Sequence, residues 1–310
     1  MNASPPRSGR FRPLAWLTDQ PYLLLSLTSL FWAGNVVIGR FAAGHLPPIA
    51  LSFLRWSAAF LILIPLAWRQ TAKDWPIIRG HLGIMVILSI SGVATFNTLG
   101  YWALQYTEAL NALLLNSTGP LFVALFSLLL FRIRLTPAQG VGILISMAGV
   151  IVILTRGDFG TLAGVRFNKG DIAYLIALLV FGVYSAVAAK RPMIHPLSFM
   201  LFTCGCGTLF ILPFYLWEMS SGARVTINIT VLAVLAYVAV FPSILSYLCF
   251  NRGVELIGAN RSAPFLHLMP VFGSVLAIGF LGETFRLFHL IGYVLVLAGV
   301  FIAARKPKRA

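Results

Sequence analysis

The chain has 310 residues, of which 59% are hydrophobic and only 10% are charged. Soluble domains carry about a quarter charged residues, so this composition excludes an ordinary water-soluble protein. The net charge of +15 would suggest a nucleic-acid partner in a soluble chain, but Lys and Arg also accumulate in the cytoplasmic loops of membrane proteins. The sequence therefore indicates a membrane protein whose partner is the lipid bilayer, with no nucleic acid expected.

Apolar blocks of about 20 residues, the length that crosses a bilayer as an α-helix, recur along the chain. They are predicted at 22–43, 47–68, 81–104, 108–131, 136–155, 170–190, 196–217, 229–251, 259–281 and 287–304. Prolines lie at or just before several of these starts, where a missing N–H costs a helix least. We therefore predict an all-α integral membrane protein with ten transmembrane helices.

The basic residues are unevenly divided between the two sides of this arrangement. With both termini in the cytoplasm, 16 of the 23 Lys and Arg fall on the inner side, six on the outer side, and Arg55 within a helix. Because an inner excess is typical of membrane proteins, we predict cytoplasmic tails at 1–21 and 305–310, the second of them basic. No small-residue cleavage site follows a short apolar stretch near the start, so no cleaved signal peptide is expected.

The two halves of the chain resemble each other. A displacement of 150 residues aligns Pro120-Leu121-Phe122 with Pro270-Val271-Phe272, without a gap. Because each half holds five helices, the second half must enter the membrane in the opposite orientation, as in many transporters. The predicted parts are a first five-helix repeat at 22–155, a periplasmic linker at 156–169 and a second, inverted five-helix repeat at 170–304.

The acidic residues avoid the middle of every predicted span. All eight lie in loops, tails or helix ends: Asp19, Asp74, Glu108, Asp158, Asp171, Glu218, Glu255 and Glu283. Carboxylates at mid-membrane are kept for function, so this placement argues against a carboxylate-based proton site. It also argues against paired-carboxylate catalysis, and the sequence has no HExxH, GxSxG or CxxC pattern. We expect a protein that is not an enzyme and holds no metal or cofactor.

Neutral polar residues and aromatics concentrate in predicted helices 1, 3, 4, 6, 8 and 9. Because polar side chains avoid lipid, these helices should surround a central cavity, while helices 2, 5, 7 and 10 form its rim. The candidate substrate-binding residues are Trp32, Asn35, Phe96, Asn97, Tyr101, Trp102, Asn116, Tyr184, Ser185, Ser243, Ser246, Tyr247 and His267. The aromatic residues could instead fill a lipid-facing surface, and His267 could be a hydrogen-bonded packing residue.

Several helices contain residues that permit bending. The candidate hinges are Gly119, Pro120, Pro242, Pro264 and Pro270. Bending there would open the cavity to alternate sides, but proline is common in membrane helices and static kinks would leave the same pattern.

Two further features leave their roles open. Arg55 could bind a substrate carboxylate, but its apolar neighbours favour a structural role, in which it snorkels or bonds backbone carbonyls of a neighbouring helix. Small residues form a stripe on predicted helices 5 and 10: Ala138, Gly142, Ser146, Gly149, Gly292 and Gly299. Such a stripe indicates either close packing of two helices or a dimer face, so a monomer and a homodimer are both compatible with it.

Four segments carry a family resemblance: FWAGNVVIGRFA, LRWSAAF, GPLFVALFSLL and LGETFRLFHLIGYVLVLAGVFIA. With the repeat, they resemble EamA-type permeases of the drug/metabolite transporter superfamily over residues 22–304, and look closest to bacterial aromatic amino acid exporters. The first half departs from the second by having Arg132-Ile133 in place of Gly282-Glu283, and we expect Glu283 to be a structural cap.

This resemblance implies a basket of ten helices around a central cavity, located in the bacterial inner membrane. It also implies export of amino acids, aromatic or otherwise neutral, or of related metabolites, by alternating access. A zwitterion could then be held by Asn35, Asn97 and Ser243 or Ser246, with its side chain against three aromatic residues. Those aromatic residues are Trp32, Tyr101 and Tyr184.

Other functions remain as alternatives. A carrier of nucleotide sugars or phosphorylated metabolites should have several cationic residues in its cavity, and a pump for cationic drugs should have a central carboxylate. From a different class, the protein could be a membrane sensor or a structural partner, although no separate soluble domain is visible in the sequence through which it could signal.

Overall fold

A computed structural model describes residues 16–132, 137–157, 168–257, 265–266 and 268–304. Every regular element in these ranges is helical, which confirms the predicted all-α class for this part of the chain. Pro264 and His267, predicted as a hinge and a site residue, lie outside the described residues.

The helices follow the predicted blocks in chain order. They are α1 Pro21–Phe41, α2 Pro48–Gly80, α3 Leu82–Ala103, α4 in two pieces at Ala109–Asn116 and Gly119–Phe131, α5 Pro137–Leu154, α6 Lys169–Ala188, α7 Pro196–Ser220, α8 Ile229–Ile257, α9 Leu268–Leu281 and α10 Leu287–Ala304. Six of them (α1, α2, α3, α6, α7 and α8) are long and apolar enough to cross a membrane, and the bent α4 would be a seventh. The apolar helices α5, α9 and α10 are shorter, so ten spans remain a prediction.

Helix α2 is longer than its apolar block. The sequence placed its end at 68 and a loop after it, but the helix continues to Gly80. The added turns contain residues that favour helices, and Gln70 Nε2 donates to the Asp74 carboxylate one turn later (3.3 Å to Oδ1). The prediction of an inner loop is therefore wrong here, because a polar sequence can continue an apolar helix beyond the membrane.

Helices α2 and α7, which are equivalent in the two halves, cap each other with carboxylates. Glu218, near the end of α7, accepts from the backbone amide of Ala50 in the first turn of α2 at 2.7 Å. At the other end of the pair, Asp74 of α2 accepts from the amide of His195, just before α7, at 3.0 Å. Carboxylates are favoured at helix N-termini because several backbone N–H groups have no partner within the helix.

Glu283 has the same role on another helix. It follows α9, and its two carboxylate oxygens accept from the amides of Ala109 and Leu110 at 2.8 and 2.9 Å, where α4 begins. The expectation that Glu283 is a structural cap is therefore confirmed.

The small-residue stripe packs α5 against α10 within one chain. A Cβ atom added to Gly149 would lie 2.7 Å from the carbonyl oxygen of Gly292, so the two backbones are in direct contact. Ser146 Oγ also donates to the carbonyl of Val296 at 3.0 Å. Close packing is confirmed, and these residues are not free to form a dimer face; whether the protein is a monomer or a homodimer stays a prediction.

Three of the described hinge candidates, Gly119, Pro120 and Pro242, coincide with helix irregularities, whereas Pro270 does not. The two pieces of α4 meet at 45°, and Gly119 and Pro120 begin the second piece. Pro242 lies in a π-helical segment of α8, Phe241–Leu245, and Pro270 is buried near the start of α9. Helix α3 also has a π-helical segment, at Ser89–Thr95. Since α3 and α8 are the third helices of their halves, the same irregularity occurs in equivalent helices. Motion at these points stays a prediction.

Candidate functional site

Arg55 is the centre of a buried polar cluster. Its residue is only 3% exposed, and its guanidinium is held by four side chains. Nε donates to Ser243 Oγ of α8 at 2.6 Å. Nη1 is shared among three acceptors of α1 and α3: Asn35 Oδ1 at 3.1 Å, Asn97 Oδ1 at 3.0 Å and Tyr101 OH at 2.7 Å. Four of the predicted site residues therefore come together, around a residue for which the sequence favoured a structural role.

The cluster is tied together beyond its contacts with the cation. Tyr101 accepts from Arg55 and donates its own proton to Asn35 Oδ1 at 2.7 Å. Because a hydroxyl can donate one hydrogen bond while it accepts others, Tyr101 satisfies both neighbours at once. Asn35 is thereby fixed with its oxygen toward the arginine.

Asn97 lies just after the π-helical segment of α3, Ser243 lies within that of α8, and both accept from the cation. Asn97 Nδ2 donates to the carbonyl of Gly92 at 2.8 Å, and Ser243 Oγ donates to the carbonyl of Val238 at 2.7 Å. Both bonds reach back five residues, and both leave the side-chain oxygen to accept from Arg55. Interruptions of this kind are frequent at functional sites. The two halves therefore use the same local device to face one guanidinium.

No carboxylate neutralises Arg55 in the part of the chain that the structure describes. Its hydrogen-bond acceptors are all neutral, and neither of the ion pairs among those residues includes it. The guanidinium carbon lies 4.5 Å from the ring centroid of Trp56, a favourable contact between a cation and an aromatic face. Buried charges are normally paired, whereas the described partners of this guanidinium are all neutral.

A small cavity adjoins this cluster. Its volume of about 20 Å³ has room for about one water molecule, so this conformation is closed around the site. The lining residues come from α2, α3, α6, α7 and α8: Trp56, Gly92, Val93, Tyr184, Phe199, Met200, Thr203, Cys204, Ser243 and Tyr247. The prediction that α2 and α7 form only a rim is wrong, because α2 supplies Arg55 and Trp56. Helix α7 lines the cavity with Phe199, Met200, Thr203 and Cys204.

Comparison with known proteins places this architecture in a family. The model of the EamA-like transporter family matches the chain twice, at residues 20–155 and 168–305. The chain belongs to the EamA-like transporter family. A solved crystal structure shares the fold, with a TM-score of 0.57 and 19% identity over 92% of this chain and 96% of that chain. The resemblance predicted from the sequence is therefore confirmed.

Named relatives of this EamA-family chain are also transporters. The uncharacterized transporter YyaM of Bacillus subtilis is 27% identical and matches 93% of this chain and 95% of its own length. An uncharacterized transporter of Archaeoglobus fulgidus is 28% identical, over 94% of this chain and 99% of the relative. A relative from Streptantibioticus cattleyicolor is named "Probable terminal-alkyne amino-acid exporter" and is 27% identical, over 91% of this chain and 92% of the relative.

The remaining aromatic candidates divide between the cavity and other surfaces of the EamA fold. Trp32 Nε1 donates to the carbonyl of Pro242 at 3.2 Å, and its ring lies 5.6 Å from that of Tyr247, a cavity residue. Phe96 is not among the lining residues of this cavity, and its ring lies 5.1 Å from that of Phe181. Trp102 packs instead on Tyr106 near the end of α3. The structure therefore associates Trp32, Tyr184 and Tyr247 with the site and places Trp102 away from it.

The remaining polar candidates do not contact Arg55. Ser246 is fully buried, and its hydroxyl has no partner among the described residues, although its carbonyl accepts from Thr28 at 3.3 Å. Asn116 and Ser185 are half-buried on α4 and α6 and make no hydrogen bond with the Arg55 cluster within the described ranges. These three residues lie outside the Arg55 cluster, and their predicted role in substrate binding stays a prediction.

A second buried polar cluster lies where α4, α6 and α10 begin. Thr107 and Asn111 donate to the Asp171 carboxylate, which is 1% exposed. His289 Nδ1 accepts from the amide of Arg286 at 2.9 Å, so the ring proton is on Nε2, which donates to Asn111 Oδ1 at 3.1 Å. Asp171 is at a helix end, as predicted. The sequence does not predict its burial, because the neighbouring helices produce it.

Proposed function

We propose that this EamA-family protein exports amino acids, aromatic or otherwise neutral, or related small metabolites across the bacterial inner membrane by alternating access. The observation that carries the proposal is the Arg55 cluster, which joins side chains of both repeats beside a cavity with aromatic walls. Polar groups at the interface of two repeats are the common location of transporter binding sites. The relative named "Probable terminal-alkyne amino-acid exporter" supports the choice of substrate class.

The closed cavity supports transport by a change of conformation. A volume of about 20 Å³ cannot hold an amino acid, so α2, α3, α6, α7 and α8 must separate for a substrate to enter. The bend in α4 and the π-helical segments of α3 and α8 are the places where such helices deform most readily. We propose that these segments, with Gly119, Pro120, Pro242 and Pro270, are the hinges.

The proposed topology follows the charge distribution. Ten spans form an inverted repeat of five plus five, with both termini in the cytoplasm. In this arrangement the starts of α2 and α4, capped by Glu218 and Glu283, lie on the outer side. The start of α7, capped by Asp74, lies on the inner side. Because these three carboxylates are engaged as helix caps, we propose that none of them carries a proton during transport.

Counterflow in proteoliposomes tests the proposal. Vesicles containing the purified protein are loaded with one unlabelled amino acid and diluted into the same labelled compound, over a panel of neutral and aromatic amino acids. We expect transient accumulation of label for a subset of the panel, and none in protein-free vesicles. Absence of accumulation for every amino acid, with correctly inserted protein, would overturn the proposed function.

A further inference from the structure

We infer that Arg55 is the residue that binds the substrate's carboxylate, and that this protein selects its substrates by the carboxylate rather than by the amino group. This inference rests on the proposed function and specifies how its site distinguishes substrates. The chemical class is a monocarboxylate with an apolar or aromatic body, so deaminated analogues of a transported amino acid should bind as well.

The charge of the site favours an anionic ligand. Arg55 is buried and its guanidinium has only neutral acceptors in the described structure, so this part of the protein carries an uncompensated positive charge. Charged groups within a membrane are costly and are usually paired. A carboxylate that enters from solution would provide the missing negative charge, and a cationic ligand would meet repulsion.

Two hydrogen-bond donors at the site have no acceptor among the described residues. Arg55 donates through Nε and Nη1, and no hydrogen bond among the described residues uses Nη2. The indole N–H of Trp56 is also buried without a partner in those ranges, and Trp56 lines the cavity. Neither group can accept a hydrogen bond, so both require an acceptor. An ionised carboxylate has only acceptor positions and satisfies this requirement.

The cavity offers little to the amino group of an amino acid. The described cavity lining contains no Asp or Glu that could pair with an ammonium group, and most of it is apolar or aromatic. A single guanidinium also suits one negative charge better than a phosphate dianion, which usually takes several cationic partners. The lining therefore favours a monocarboxylate with an apolar body, and the amino group contributes little to binding.

Competition experiments on the unchanged protein test the inference without a risk of misfolding. Counterflow of labelled phenylalanine, or of the panel amino acid that gives the largest signal, is measured at pH 7 with three competitors. For phenylalanine these are phenylalaninamide, 2-phenylethylamine and 3-phenylpropionate. We expect 3-phenylpropionate to compete within about tenfold of phenylalanine, and the two compounds without a carboxylate to be at least about tenfold weaker than 3-phenylpropionate. Equal or better competition by 2-phenylethylamine would overturn the inference and leave the transport function standing.

A binding measurement decides the inference even if no amino acid is transported. Thermal unfolding of the detergent-purified protein is followed with each of the same four compounds. An upward shift of the midpoint with 3-phenylpropionate but not with 2-phenylethylamine supports the inference. A shift with neither compound, or with the amine alone, overturns it. The counterflow panel by itself decides the proposed function, so the two failures are distinguishable.

Variants assign the selectivity to Arg55. In Arg55→Gln we expect the preference for the carboxylate over the amine to fall by about tenfold or more, and Arg55→Lys to keep part of it because the charge remains. Arg40→Gln is the matched control, since Arg40 bonds the carbonyl of Leu104 at 2.8 Å and lies outside the cluster. An unchanged preference in a folded Arg55→Gln protein would contradict the assignment.

Discussion

Ser243 accepts a 2.6 Å hydrogen bond from Arg55 Nε and thereby joins α8 of the second half to α2 of the first. The other three acceptors of the guanidinium belong to the first half. A movement that separates α2 from α8 must therefore break this bond and change the surroundings of the cation. This links the binding chemistry to the relative positions of the two repeats.

Removal of the Ser243 hydroxyl should impair transport more than folding. In Ser243→Ala, Arg55 Nε loses its acceptor, and a hydrogen bond to a charged group contributes about 1.5–3 kcal/mol. We expect the initial rate of counterflow to fall by about tenfold or more. Ser26→Ala is the control, because Ser26 Oγ donates to the carbonyl of Tyr22 at 2.8 Å and makes no bond to Arg55 in the described ranges. Equal rates in the two variants would contradict a role for Ser243.

The Tyr101 hydroxyl should contribute to stability because it serves two neighbours. In Tyr101→Phe, Arg55 loses an acceptor and Asn35 loses a donor while the ring remains in place. We expect the free energy of unfolding to fall by about 1–3 kcal/mol, measured by thermal or denaturant unfolding in detergent. Tyr106→Phe, at a residue that is 40% exposed, should have little effect, and a similar loss in both would argue against a specific role.

Contact between α5 and α10 should make Gly149 intolerant of a methyl group. In Gly149→Ala the new carbon would be 2.7 Å from a backbone oxygen of α10, so the helices must move apart. Overpacking of this kind costs about 1–3 kcal/mol, which we expect as a lower unfolding midpoint. In Gly140→Ala, on the same helix, the new carbon meets no described atom within 4 Å. A larger loss in Gly140→Ala than in Gly149→Ala would refute this packing.

Asp171 should be a structural residue and not a proton-coupling one. In Asp171→Asn the hydrogen bonds with Thr107 and Asn111 are rearranged but no charge has to be buried, so we expect lower thermal stability with counterflow within about twofold of wild type. With an imposed pH gradient, we again expect only a small difference in transport between Asp171→Asn and the wild type. If the gradient drives uptake in the wild type and not in Asp171→Asn, the proposal of transport without a carboxylate proton site is incorrect.

The sequence predicts the fold better than the site. Apolar blocks placed nearly every helix within a few residues, because membrane spans need a minimum length of apolar sequence. The apolar block does not predict the end of α2 at Gly80, because the last turns of this helix contain polar and charged residues and lie beyond the block. Neutral residues such as Asn97 and Ser243 were found by their rarity in apolar helices.

The role of Arg55 could not be read from its neighbours in sequence. Leu54 and Trp56 suggested an apolar environment, whereas the partners of Arg55 come from α1, α3 and α8. The π-helical segments that direct these partners have no distinct sequence signature, because they differ from α-helix only in local hydrogen bonding. Tertiary packing therefore determines the site in a way that composition and spacing do not reveal.

Protection of Cys204 from alkylation tests whether the transported substrate binds in this cavity. Cys204 is buried and lines the cavity, and the half-buried Cys206 and Cys249 can be replaced by serine to leave it as the remaining thiol. In proteoliposomes that show counterflow, saturating substrate should slow the labelling of Cys204 by a small thiol reagent, while a non-transported amino acid should not. Counterflow at the wild-type rate with labelling of Cys204 unchanged by substrate would show that transport uses another site.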